Sequence, residues 1–132
     1  MQARELYCST WFLKARDYVE AHALPWFILS AKYGLVNPDQ VIQPYNLTLK
    51  DMAADERRAW ARMVASGLQG KCEKGTFIII FAGQYYREYL IPVIEGWGCE
   101  IEVPLRGLGI GQQLKWLKNN TSQKMDRMCG LN

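Results

Sequence analysis

Histidine is almost missing from this chain, with His22 standing alone among 132 residues. The four cysteines, Cys8, Cys72, Cys99 and Cys129, include no Cys-x-x-Cys pair. A zinc centre needs several such ligands at close spacing, so no metal is expected, and free thiols filling core space are. Also missing are a G-x-S-x-G elbow, an H-E-x-x-H helix, a Walker phosphate loop and any evident pair of carboxylates. No hydrolytic mechanism can therefore be read from composition or spacing, and no cofactor is called for. No apolar run reaches membrane-spanning length and no charged-then-apolar leader opens the chain, so a cytoplasmic protein without a membrane span is expected. There is no internal repeat and no low-complexity tract. A large excess of charge of either sign is missing as well: the net value of +3 permits phosphate contact without demanding it.

What is present is the composition of a globular domain, 49% apolar and 22% charged. The length suits one domain with a single core. We read an α/β domain over residues 1–120, followed by a flexible C-terminal tail over 121–132 where periodicity is lost. The organising stretch is Trp26 to Leu49. It opens with the apolar run Trp26-Phe27-Ile28-Leu29, the pattern of a strand buried on both faces. It then breaks into Ser30, Ala31, Lys32, Tyr33 and Gly34, with proline-marked turns at Pro38 and Pro44.

Ahead of it, Ser9-Thr10 reads as the cap of a helix whose buried face carries Trp11, Phe12, Ala15, Tyr18 and Val19. His22 follows that helix, where a structural role suits it. A second helix, capped by Asp51, is expected to Leu68 with Trp60, Met63, Val64 and Leu68 as its apolar stripe. Gly75 to Phe81 reads as the strongest strand, and a helix from Tyr85 to Glu95 should kink at Pro92. Cys99 to Val103 alternates as a half-covered strand, with Ile101 and Val103 inward. A last helix follows the loop 104–111. The alternation argues for a small, mostly parallel sheet flanked by helices. Three strands leave apolar helix surface uncovered, so a further strand, a second copy in a homo-oligomer or a partner chain is expected to cover it.

Ligands in open α/β sheets sit past the carboxyl ends of strands, which gathers Ser30, Lys32, Tyr33 and Tyr45 into a candidate site. Gly83 and Tyr86 follow the second strand and join the same candidate set, as does Asp39, the nearest acid. The loop Arg106-Gly107-Leu108-Gly109-Ile110-Gly111, with Gln112 after it, has the glycines and the cation that an anion would require. Each feature also has a plain structural explanation. Glycines permit close helix–strand packing, tyrosines at strand ends serve as core lids, and Glu56, Arg57, Arg58 and Arg62 make a solvated helix face.

The segments Ala3–Tyr7, Trp26–Leu35, Pro38-Asp39, Ile42–Tyr45, Leu47–Leu49 and Pro104–Gln113 together carry a more specific pattern. In these the chain resembles a bacterial and phage family of uncharacterised domains related to the YaaA peroxide-stress proteins, which share L-S-x-x-Y-G-L…P…I-x-P-Y. The likeness covers roughly residues 3–118. It implies an α/β fold, DNA binding, and a distant kinship with enzymes acting on nucleobases or their glycosidic bonds. It also implies a first strand, with a small loop bearing lysine and cysteine or serine, ahead of Ala3–Tyr7; we expect this chain to lack that strand.

Two functions follow as expectations. In the first, a nucleic-acid-directed protein, with DNA or another nucleic acid as partner, takes a nucleotide or extruded base at the strand ends. Lys32, Tyr33, Asp39 and Tyr45 would act on the base or its N-glycosidic bond, or exchange the base, while Ser30, Gly83, Tyr86, Arg106, Gly107, Gly109, Gly111 and Gln112 hold it. In the second, the chain is a non-catalytic protein-interaction or regulatory module. A third reading gives the glycine loop a free nucleotide.

Overall fold

A computed structural model describes the backbone of residues 1–131 and the side chains of residues 1–121. The elements run α1 (Ala3–Leu6), α2 (Thr10–Ala21), β1 (Ile28–Ser30), β2 (Gly34–Val36), a 3-10 turn (Leu49–Asp51), α3 (Ala54–Leu68), β3 (Phe77–Ile79), α4 (Gln84–Arg87), α5 (Leu90–Gly96), β4 (Glu100–Glu102) and α6 (Ile110–Leu131). They fall into two compact units. The flexible tail expected over residues 121–132 lies outside the described side chains, apart from Thr121.

The first unit comprises Met1–Trp26, Pro38–Ile42 and Leu105–Asn132, and rests on α2 packing against α6. Helix α2 begins where the sequence implied: the Ser9 hydroxyl accepts the Phe12 N–H at 3.1 Å. Ala15 and Tyr18 form its buried face, and Tyr18 meets Trp116 of α6 with ring centroids 5.5 Å apart. The helix ends in a Schellman arrangement, with Leu24 N–H donating to Val19 O at 3.2 Å and Ala23 N–H to Glu20 O at 3.1 Å. His22 is 2% exposed and lies edge-on to the Tyr18 ring at 4.1 Å, the structural position expected of it.

The second unit comprises Phe27–Asn37 and Gln43–Pro104. Its core gathers Leu49, Trp60, Ala61, Val64, Ala65, Leu90, Ile94 and Cys99. Trp60 and Val64 are the inward members of the stripe foreseen for α3; burying side chains of this size contributes roughly 1.5–3 kcal/mol each. Met63, also assigned to the stripe, is 47% exposed. The helix starts two residues later than Asp51 implied: Asp51 lies in the 3-10 turn, and the Glu56 carboxylate accepts the Ala53 N–H at 3.3 Å.

The fold class is mixed helix and strand, but a mostly parallel sheet does not form among the described residues. Instead there are two ladders of two strands each. β1 and β2 are antiparallel, with Ile28 opposite Val36 and Ser30 opposite Gly34; β3 and β4 are parallel. The reason lies in the residues that break the first apolar run. Gly34 takes φ +75°, so the chain reverses within four residues and the run finds its partner locally. β1 is accordingly buried on alternate residues, with Ile28 and Ser30 inward and Leu29 half-buried. The run from Gly75 also forms less strand than expected, and Phe77 is 55% exposed. In β4, Ile101 sits half-buried between exposed Glu100 and Glu102, as the alternation implied. Pro92 does more than kink its helix. Its ring conflicts with the carbonyl four residues back, at Glu88, and the helical stretch is split there into α4 and α5.

Candidate nucleic-acid interface

Ser30 is the last residue of β1, and its side chain is fully buried. A buried hydroxyl must be hydrogen-bonded, and here three neighbours depend on this residue. Its Oγ donates to the Tyr45 hydroxyl at 2.9 Å and accepts the Tyr33 N–H at 3.0 Å. Its carbonyl accepts the indole N–H of Trp60 at 2.8 Å. Ser30 thereby ties the hairpin turn, the segment around Tyr45 and α3 together. Tyr33 and Tyr45 are held edge to face, 5.8 Å between centroids and 79° between planes. The Tyr33 hydroxyl reaches the Gln43 carbonyl at 3.5 Å. Lys32 is exposed, and its ammonium lies 5.3 Å from the centroid of the Tyr33 ring. A cation, two aromatic rings and a fixed hydroxyl thus meet around the β1–β2 turn.

Tyr86 belongs to the same unit and packs edge-on to Trp60, centroids 5.5 Å apart. Gly83 caps α4 with φ −72°, an ordinary extended conformation, and a Cβ there would meet nothing within 4 Å. Beside them Arg57 sits over the Tyr85 ring at 5.2 Å and Arg58 over the Tyr89 ring at 4.9 Å. Both guanidinium groups are also ion-paired, Arg57 with Glu88 at 2.7 Å and Arg58 with Asp55 at 3.0 Å. The Glu88 hydrogen bond, which outweighs desolvation, raises the Arg57 pKa above its ordinary value.

The remaining candidates fall in the first unit. The Asp39 carboxylate forms a salt bridge with Arg4, which also reaches Glu20 at 3.1 Å. The backbone around Asp39 is fixed in turn by Ala3 N–H donating to Gln40 O at 2.8 Å and Arg4 N–H to Pro38 O at 2.9 Å. Asp39 is therefore not in the unit that holds Lys32, Tyr33 and Tyr45. Arg106, Gly107, Gly109, Gly111 and Gln112 are all exposed, and Gly107 has φ +79°. The Gln112 side chain folds back to accept the Gly109 N–H at 3.0 Å, so that amide at the start of α6 has a protein acceptor.

Several residues that shape these sites were not singled out from sequence. Gln113 donates to Leu108 O at 2.8 Å and accepts the Trp11 indole N–H at 2.7 Å, anchoring the glycine loop to α2. The spacing of Trp60 signals only an apolar stripe, yet its N–H fixes the Ser30 carbonyl. Arg4 gave no signal, because its partner Asp39 is 35 residues away. Among the described residues, no group of three or more histidine, cysteine or acidic side chains is placed to hold a metal ion. No helix among them is long and apolar enough to cross a membrane.

Compared with known proteins, residues 1–119 match the profile of a family of unknown function, DUF6884. No curated protein and no solved structure matches the chain.

Proposed function

This chain belongs to DUF6884, a family of unknown function, and we propose that it is a nucleic-acid-directed protein that holds a nucleotide or an extruded base against the β1–β2 turn. The observation that carries the reading is the locked Tyr33–Tyr45 pair with the Lys32 ammonium over the Tyr33 ring. Bases stack on aromatic faces that have a cation beside them for the phosphate, and stacking is worth about 1–3 kcal/mol per base. The buried Ser30 hydroxyl keeps that arrangement formed before a ligand arrives, which lowers the ordering cost of binding. In the first unit, the exposed Arg106 and the Gly107–Gly111 loop are a separate candidate contact for phosphate.

Binding is the part of the reading that the geometry supports best. Action on the N-glycosidic bond, or base exchange, rests on the likeness to YaaA-type proteins of bacteria and phage. It would need Asp39 as acid together with Lys32, Tyr33 and Tyr45, whereas Asp39 is engaged by Arg4.

The test is binding of single-stranded DNA, duplex DNA and tRNA, followed by fluorescence anisotropy from low to moderate salt. Tyr33→Ala should weaken single-strand binding by about 5- to 150-fold, matching 1–3 kcal/mol of stacking. Lys32→Ala should flatten the log–log salt slope by about 0.7, the value of one single-strand phosphate contact. Wild-type behaviour from both variants would remove the turn from the interface. No binding of any of the three at low salt would favour the alternative, a protein-interaction module, for which Phe77, 55% exposed on the β3–β4 ladder, is the supporting observation.

A further inference from the structure

Two thiols with no part in that interface are brought together in the second unit. Cys72 lies half-buried in the loop joining α3 to β3, and Cys99, immediately before β4, is 7% exposed. The loop is laid against β4 by two backbone hydrogen bonds: Gly75 N–H donates to Gly98 O at 2.9 Å, and Glu100 N–H to Thr76 O at 2.8 Å. Inside it a turn closes where Thr76 N–H donates to Glu73 O at 2.9 Å and Glu73 N–H donates to Thr76 Oγ1 at 3.0 Å. The same Glu73 carbonyl accepts the Cys99 thiol at 3.4 Å, so the Cys99 sulfur is fixed one residue from Cys72 along the chain. Both side chains pack in one apolar cluster. Burial, and after it the charge of a Cys99 thiolate, push the Cys72 thiol up, with Lys71 acting the other way.

We propose that Cys72 and Cys99 are a modification site, closing into a reversible disulfide when the protein meets a low-molecular-weight disulfide such as oxidised glutathione. Cys72 is the more accessible thiol and reacts first. Its thiolate attacks one sulfur of the oxidant, forming a mixed disulfide and releasing one glutathione thiolate. The Cys99 thiol loses its proton, and its sulfur attacks the Cys72 sulfur and expels the second glutathione. The two protons given up by the protein thiols end on the two released glutathiones, and the protein loses two electrons to the oxidant. The bond ties the α3–β3 loop covalently to the start of β4, constraining the unfolded chain across residues 72–99.

The test treats the full chain with oxidised glutathione under native conditions, alkylates the remaining thiols and maps tryptic peptides without reduction. The expected product joins the short peptide bearing Cys72 to the long one bearing Cys99, with a loss of two mass units, and Cys8 stays outside it, alkylated or carrying glutathione. The Tm of this oxidised form should rise by several degrees and return on reduction. Cys72→Ser should abolish the product, and the wild-type map does not depend on how any variant folds. A glutathione adduct that persists on Cys72 beside an alkylated Cys99, two unmodified thiols, or pairing of either with Cys8 or Cys129 would each overturn the assignment.

Discussion

Ser30 sets the terms at the residue scale, because one buried hydroxyl and one carbonyl serve three partners in the same unit. Removing the hydroxyl leaves the Tyr33 N–H and the Tyr45 hydroxyl without their acceptor and donor. Ser30→Ala should therefore lower stability by about 1–3 kcal/mol in urea unfolding, the usual cost of leaving buried polar groups unmade. Tyr45→Phe removes one bond of the same set, so the double variant should cost less than the sum of the two single ones; strict additivity would mean that they do not act together. Cys72 gives a residue-scale expectation of the opposite kind. Its thiol is pushed up, mainly by burial, so the folded protein keeps that proton at a pH where the unfolded chain has lost it. The native state then binds more protons, and stability should fall as pH rises past the ordinary thiol range. Cys8, which is exposed, should be alkylated well before Cys72. Equal alkylation rates would contradict the burial that causes the shift.

The elements show why part of the fold was legible in the sequence and part was not. Helix α2 was readable because its cap, its apolar spacing and its end are all local, and Ser9 behaves as the sequence implied. The hairpin was not, although the glycine was in plain view: Lys32-Tyr33-Gly34 allows reversal, and a local antiparallel partner won over a distant parallel one. At Pro92 the sequence signals a kink, but the break falls a turn earlier, at the Glu88 carbonyl that its ring displaces. The end of α2 can be tested directly. Ala23 holds the left-handed position of the Schellman turn at φ 53°, where a Cβ costs roughly 1–2 kcal/mol. Part of that gain is lost to glycine's greater unfolded-state entropy, so Ala23→Gly should raise stability by about 1 kcal/mol, visible as a higher urea midpoint with an unchanged slope. A lower midpoint would show that the turn is held by contacts this conformational argument omits.

Across the whole molecule, the chain passes four times between its two units, with Pro38–Ile42 returning to the first unit between segments of the second. No periodicity or spacing announces such a return. It is held by backbone pairing of residues 1–4 with residues 38–42 and by Arg4, whose guanidinium meets Asp39 and also Glu20 of α2. Arg4→Ala should cost on the order of 1 kcal/mol, at the upper end for partly exposed ion pairs because two carboxylates share the cation. The same topology limited how far the site could be read. Ser30 and Tyr33 do meet Tyr45, through a hydrogen bond and a ring contact, whereas Asp39, close to them in sequence, lies in the other unit. The proposed function stands or falls on that hairpin cluster. The most direct measurement is photocrosslinking of a single-stranded oligonucleotide carrying 4-thiothymidine, with the adducts mapped by peptide sequencing. Adducts on Lys32, Tyr33 or Tyr45 are the expected result; adducts confined to residues away from the β1–β2 turn, or none at all under binding conditions, would contradict it.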